Sequence, residues 1–140
     1  MLEGKRIFIT GGAGFIGSTL ARQLADRNQV VAYDNLHRDA LSGTDLAEHP
    51  NLTFVQGDIL DPEALIDASA GATHFVHAAA IAGVDTVLAS PVRTMRVNVI
   101  GTYNALERNK LLVQQYVFRQ SFQKSTDMIE QLLTRTELFF

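Results

Sequence analysis

Eight residues near the start of the chain, Thr10 to Gly17 (TGGAGFIG), restrict its fold more than any other feature. They follow an apolar run of strand length, Ile7 to Thr10, and lead into Ile16, Leu20 and Leu24, an every-fourth-residue repeat that sets one apolar stripe on a helix. The segment satisfies both G-x-x-G-x-x-G, through Gly11, Gly14 and Gly17, and G-x-G-x-x-G, through Gly12, Gly14 and Gly17. In a strand-turn-helix unit the early glycines permit the tight turn. Gly14 lets a pyrophosphate approach the backbone, and Gly17 lets the helix lie close on the strand. The helix then begins with unpaired N–H groups and the positive end of its dipole facing the phosphates. Glycine-rich turns are common by themselves, so the second signal matters. Asp34, 23 residues after Gly11, closes the next strand, where a carboxylate accepts hydrogen bonds from the adenosine ribose hydroxyls. Together they indicate a dinucleotide site. The carboxylate repels the 2′-phosphate of NADP and favours NAD, while Arg38 nearby keeps NADP open, because a guanidinium can pair with that phosphate.

Further strand-length runs at Val30 to Asp34, Leu52 to Gly57, His74 to Ala79 and Tyr116 to Phe118 alternate with helical segments. That alternation predicts a doubly wound α/β Rossmann-type parallel sheet, in the order 3-2-1-4 extended by a fifth strand. The strands are apolar runs rather than clean alternations, as expected when both sheet faces are buried. Asp61-Pro62 and Ser90-Pro91 each pair an N-cap residue with proline at the first helical position. The helix after Ser90 carries Val92, Met95, Val99, Tyr103 and Leu106 at spacings of three and four, which predicts its buried face. A net charge of −3 offers no field for nucleic acid or an anionic membrane. No apolar run is long enough to cross a bilayer and no signal pattern precedes the first strand, so a cytoplasmic protein is expected. The chain has no cysteine, which excludes thiolate nucleophiles and thiolate zinc sites. Its four histidines, His37, His49, His74 and His77, show no ligand spacing and receive no catalytic role.

The segments TGGAGFIGS (Thr10 to Ser18), YDNL (Tyr33 to Leu36), GDILD (Gly57 to Asp61), HAAA (His77 to Ala80) and NVIGT (Asn98 to Thr102) follow one another over about 105 residues. In this order the chain resembles the extended short-chain dehydrogenases, and among them the NAD-dependent nucleotide-sugar epimerases and dehydratases. The resemblance implies that Phe15 and Ile16 present backbone N–H groups to the pyrophosphate and that Asp34 and Asn35 hold the ribose. Asp58 would face the adenine amino group with the Ile59 backbone beside it. Ala78, Ala79 and Ala80 would leave room for the cofactor, and Asn98 would reach toward the nicotinamide side. A nucleotide sugar is the implied substrate.

Active members of that family carry a Ser or Thr at the end of the fifth strand and a Tyr-x-x-x-Lys pair on the next helix. The lysine cation lowers the tyrosine pKa, so that its phenolate can act as a base toward a sugar hydroxyl. Here His37, Glu107 and Gln120 stand four residues after Tyr33, Tyr103 and Tyr116, and the lysines are Lys5, Lys110 and Lys124. Ser121 stands where the catalytic hydroxyl would fall, and it is the catalytic candidate that remains. Residues 1–111 read as the NAD-binding core and residues 112–140 as a divergent segment, with an amphipathic helix suggested by Met128, Ile129, Leu132 and Leu133. An interrupted reading frame, a fragment, and a small non-enzymatic NAD-binding or interaction module all fit this departure, and its abruptness favours the first. An unfinished sheet would expose its last strand, so homo-oligomers are also expected to be within reach.

Overall fold

The computed structural model describes residues 2–109 and 116–118. Five parallel strands, β1 (Arg6–Thr10), β2 (Gln29–Asp34), β3 (Leu52–Gln56), β4 (His74–His77) and β5 (Tyr116–Phe118), form one sheet in the order β3-β2-β1-β4-β5. The expected order and all five strand positions are met. Phe8 pairs in register with Val31 on one side and Phe75 on the other, so β1 is central. Ser121, Lys110, Lys124, the Met128 to Leu133 repeat and the last residues of the chain lie outside the described residues.

Alternation along β1 divides the core in two. Ile7 and Ile9, with Val30 and Ala32 of β2, meet Leu20, Ala21, Leu24 and Ala25 of helix α1 (Phe15–Ala25). Leu41 and Leu46, from the long loop between β2 and β3, complete this side. Phe8, Val31, Tyr33 and Phe75 point the other way, toward Leu65 of α2 (Pro62–Ala68) and Ala105 of α5 (Gly101–Asn109). Phe8 stacks at a tilt between Tyr33 and Phe75, with ring centroids 5.5 and 5.1 Å away. β1 and β2 are buried on both faces as expected, but β3 is not: Thr53, Phe54 and Gln56 are exposed, because β3 is an edge of the sheet.

The two Ser/Asp-Pro starts differ. Asp61 caps α2 by accepting from the N–H groups of Glu63 and Ala64, both at 3.1 Å. Ser90 occupies the same place but caps only through its carbonyl, which accepts from the Thr94 N–H. From there α3 (Val84–Ala89) gives way to α4 (Pro91–Met95), a wider π-type turn (Arg96–Ile100) and then α5.

The face expected to be buried on this last layer is the exposed one. Val92 is 80% exposed and Met95 62%, with Val99, Tyr103 and Leu106 also outward. What turns inward instead is Thr94, Val97, Gly101, Thr102 and Ala105, at the same helical spacing but with small or polar side chains. The reason lies in what they meet. A β-carbon on Gly101 would run into the Ile59 side chain, and Thr102 must reach a buried histidine. No helix among the described residues is long and apolar enough to cross a membrane.

Candidate functional site

The carboxyl ends of β1, β2 and β4 open into one cleft of about 660 Å³. Gly11, Gly14, Phe15, Ile16, Gly17, Asp34, Asn35, Asp58, Ile59, Ala78, Ala79 and Ala80, all singled out in the sequence, line it together. In open parallel sheets this is where ligands bind, at the point where the strand order reverses, here between β1 and β4.

The glycine loop is shaped by close approaches. Gly11 has φ +69°, and a β-carbon on it would lie 2.7 Å from the Ala79 nitrogen, so the ends of β1 and β4 touch through backbone. A β-carbon on Gly12 would lie 2.6 Å from the α-carbon of Ala32, and one on Gly17 would strike the Gly11 carbonyl. Gly14 differs, because its β-carbon would meet only the Gly11 oxygen, at 3.2 Å, and otherwise faces the cleft. No side chain caps α1, and its first internal bond runs from the Ser18 N–H to the Gly14 carbonyl at 2.8 Å. The N–H groups of Phe15, Ile16 and Gly17 therefore precede the helix's own ladder and are set out for an anion.

Asp34 is held rigidly. One carboxylate oxygen accepts from the Ala13 N–H at 3.1 Å and the other from the Leu36 N–H at 2.8 Å, and each keeps a lone pair for a further donor. Leu36 takes φ +62° in this turn, and the Asn35 side chain accepts from the His37 N–H at 3.0 Å. The opposite wall, Asp58 and Ile59, is fixed from two elements. The Tyr33 hydroxyl donates to the Asp58 carbonyl at 2.9 Å, and the Asn104 amide donates to the Ile59 carbonyl at 2.9 Å. Burial, with smaller contributions from the Asp61 and Asp58 charges, pushes the Tyr33 phenol up to about 12, so it stays a donor. The β-carbon position of Gly57 is filled by the Tyr33 ring.

Asn98 stands apart from the other predicted residues. It does not line the cleft; its side-chain oxygen accepts from the Ile81 N–H at 2.8 Å and its amide donates to the Ile81 carbonyl at 3.0 Å. It thus pins the loop that follows β4. The sequence reading missed Tyr33 and Asn104 as supports of the wall, and Arg93, Arg96 and Thr86 as lining residues. Ser90-Pro91, the repeat that follows it and the NVIGT motif pointed to this layer, but not to these side chains. Among the described residues no group of three or more His, Asp or Glu side chains could hold a metal ion.

The glycine loop, the fixed carboxylate at the end of β2 and the switch-point cleft together describe a Rossmann-type domain. Residues 7–131 match the model of the NAD dependent epimerase/dehydratase family, and the chain belongs to that family. A dTDP-glucose 4,6-dehydratase of Neisseria gonorrhoeae is 38% identical over 120 residues, which cover 81% of this chain and 35% of the relative. The chain thus spans about a third of the length of the curated relatives it matches. Among solved structures, a UDP-N-acetylglucosamine 4-epimerase from Methanobrevibacter ruminantium in complex with UDP-N-acetylmuramic acid superposes with a TM-score of 0.76 at 29% identity, covering 84% of this chain and 38% of that one. A UDP-glucose 4-epimerase of Thermus thermophilus in complex with NAD gives 0.70 at 33% identity, covering 81% and 36%.

Proposed function

We propose that the cleft binds NAD and that the chain is the cofactor-binding part of a nucleotide-sugar epimerase or dehydratase. The observation that carries this reading is the Gly14 opening: three uncapped N–H groups of α1 face a space that a β-carbon would begin to fill. Asp34 supports NAD over NADP, since its fixed carboxylate offers acceptors to a ribose diol and repulsion to a 2′-phosphate. Phe15 and Ile16 would bind the pyrophosphate, Asn35 the ribose, and Asp58 with Ile59 the adenine. When bound, NAD supplies a hydride acceptor. The chain's own residues hold and orient it, and none stands in a Tyr-x-x-x-Lys pair to move the sugar's proton. We therefore read residues 1–111 as an NAD-binding core that does not turn over nucleotide sugars alone, with a non-enzymatic NAD-binding module as the second reading.

Calorimetry tests this. The unaltered chain should bind NAD more tightly than NADP. Asp34→Ala should narrow that gap by losing about 1.5–3 kcal/mol, the worth of a hydrogen bond to a charged group. Gly14→Val should lose NAD while still folding. Equal affinities for the two cofactors would overturn the role of Asp34, and wild-type NAD affinity in Gly14→Val would remove the cofactor from this loop. Epimerised or dehydrated product from UDP-, GDP- or dTDP-sugars, above a no-protein control, would overturn the absence of turnover.

A further inference from the structure

We propose that His77 is a positioning residue for this cleft: its ring, fixed in one tautomer, ties the end of β1 to the start of α5 and so sets how the glycine loop meets the Ala78–Ala79 wall. The inference rests on the reading of the cleft as an NAD site. Thr10 is fully buried, and among the described residues its hydroxyl oxygen has two polar neighbours, the Ala79 N–H at 3.4 Å and His77 Nδ1 at 2.7 Å. An amide N–H can only donate. The hydroxyl proton must therefore go to Nδ1 or stay buried without an acceptor, which is costly. Nδ1 is thus the bare nitrogen, and the ring proton sits on Nε2, where the Thr102 hydroxyl accepts it at 3.1 Å.

The placement gives this bond its consequence. Gly11 follows Thr10 directly and lies in backbone contact with Ala78 and Ala79, which follow His77 directly. A shift at the Thr10–His77 pair is therefore passed to both walls within one residue. Thr10, His77 and Thr102 do not line the cleft themselves, so they act through the residues beside them. His77 is 8% exposed, and burial lowers its pKa to about 4, which keeps the ring neutral at neutral pH.

Two substitutions separate the two bonds. The amide of His77→Asn falls near the Nδ1 position and can still accept from Thr10. That of His77→Gln falls near Nε2 and serves Thr102 alone. We expect His77→Asn to bind NAD within about threefold of the unaltered chain and His77→Gln to bind about tenfold more weakly, with affinities corrected for the folded fraction. Nitrogen-15 NMR of the unaltered chain should show a protonated Nε2 and a bare Nδ1 on His77, a readout that does not depend on any variant folding. A protonated Nδ1, or His77→Gln binding as tightly as the unaltered chain, would overturn the proposal. If the unaltered chain binds no NAD, the cofactor reading falls and this one with it. Binding by the unaltered chain and His77→Gln alike overturns only the role of His77.

Discussion

Helices with a regular apolar repeat cover both faces of the sheet, but α1 turns its repeat inward and the α4–α5 layer turns its own outward. On the α1 face, Leu20 and Leu24 of the stripe read from sequence are buried against β1 and β2. On the α4–α5 layer an equally regular stripe faces out, while threonine, glycine and alanine meet the sheet and its loops. Periodicity establishes that a helix has an apolar side; it does not say what that side meets. Around the cleft the inward side is chosen by the need for hydrogen bonds and close approach, and bulky side chains are excluded.

Single substitutions can break or sharpen this contrast. The largest effect is expected on the closed face, where Leu24→Ala removes a buried side chain and should cost about 2–5 kcal/mol in denaturant unfolding. A cost below about 1 kcal/mol, well under the range for truncating a buried leucine, would mean that α1 is not packed as described.

Next comes acidification, which reads the polar inward side. His77 has a pKa lowered by burial from 6.5 to about 4, so the unfolded chain takes up its proton first. This contribution is fully present above pH 6.5, declines as pH falls, and is lost by about pH 4, at roughly 3 kcal/mol in total. Unfolding free energies at neutral and acid pH, compared between the unaltered chain and His77→Gln, isolate it from the carboxylates. Identical pH dependence in the two would disprove it.

Asn98→Ala should cost less, about 1–2 kcal/mol, for the two bonds to the Ile81 backbone. Amide exchange at Ile81 should quicken in step, and protection unchanged there would count against the pin. The smallest effect belongs to the outward stripe: Met95→Ala should stay within about 0.5 kcal/mol of the unaltered chain. A loss comparable to that of Leu24→Ala would show that something covers this face in solution.

Much of this arrangement is legible in the sequence, because the signals are local. Strand positions follow from apolar runs, and the strand order follows from the glycine loop and the alternation around it. Twelve residues named for one site do meet in one cleft. What is not legible is distant pairing. Asn104 lies 45 residues from the Ile59 carbonyl it holds, and Thr10 lies 67 from His77. The outward stripe was misread because the apolar side chains that favour burial in general say nothing of the glycine and threonine that the Ile59 and His77 contacts demand. The exposure of β3 follows from its edge position, which composition alone does not report.

The wider turn at Arg96–Ile100 has a consequence for how this stretch can vary. Asn98, Gly101, Thr102 and Asn104 hold two loops and the end of β4, through Ile81, Ile59 and His77, from one short run of backbone. A point change loosens one of these holds. Adding or removing a single residue within the turn would rotate everything after it by about 100°. Gly101, Thr102 and Asn104 would then leave their partners at once. The length of this segment is therefore more tightly bound than the identity of most of its residues.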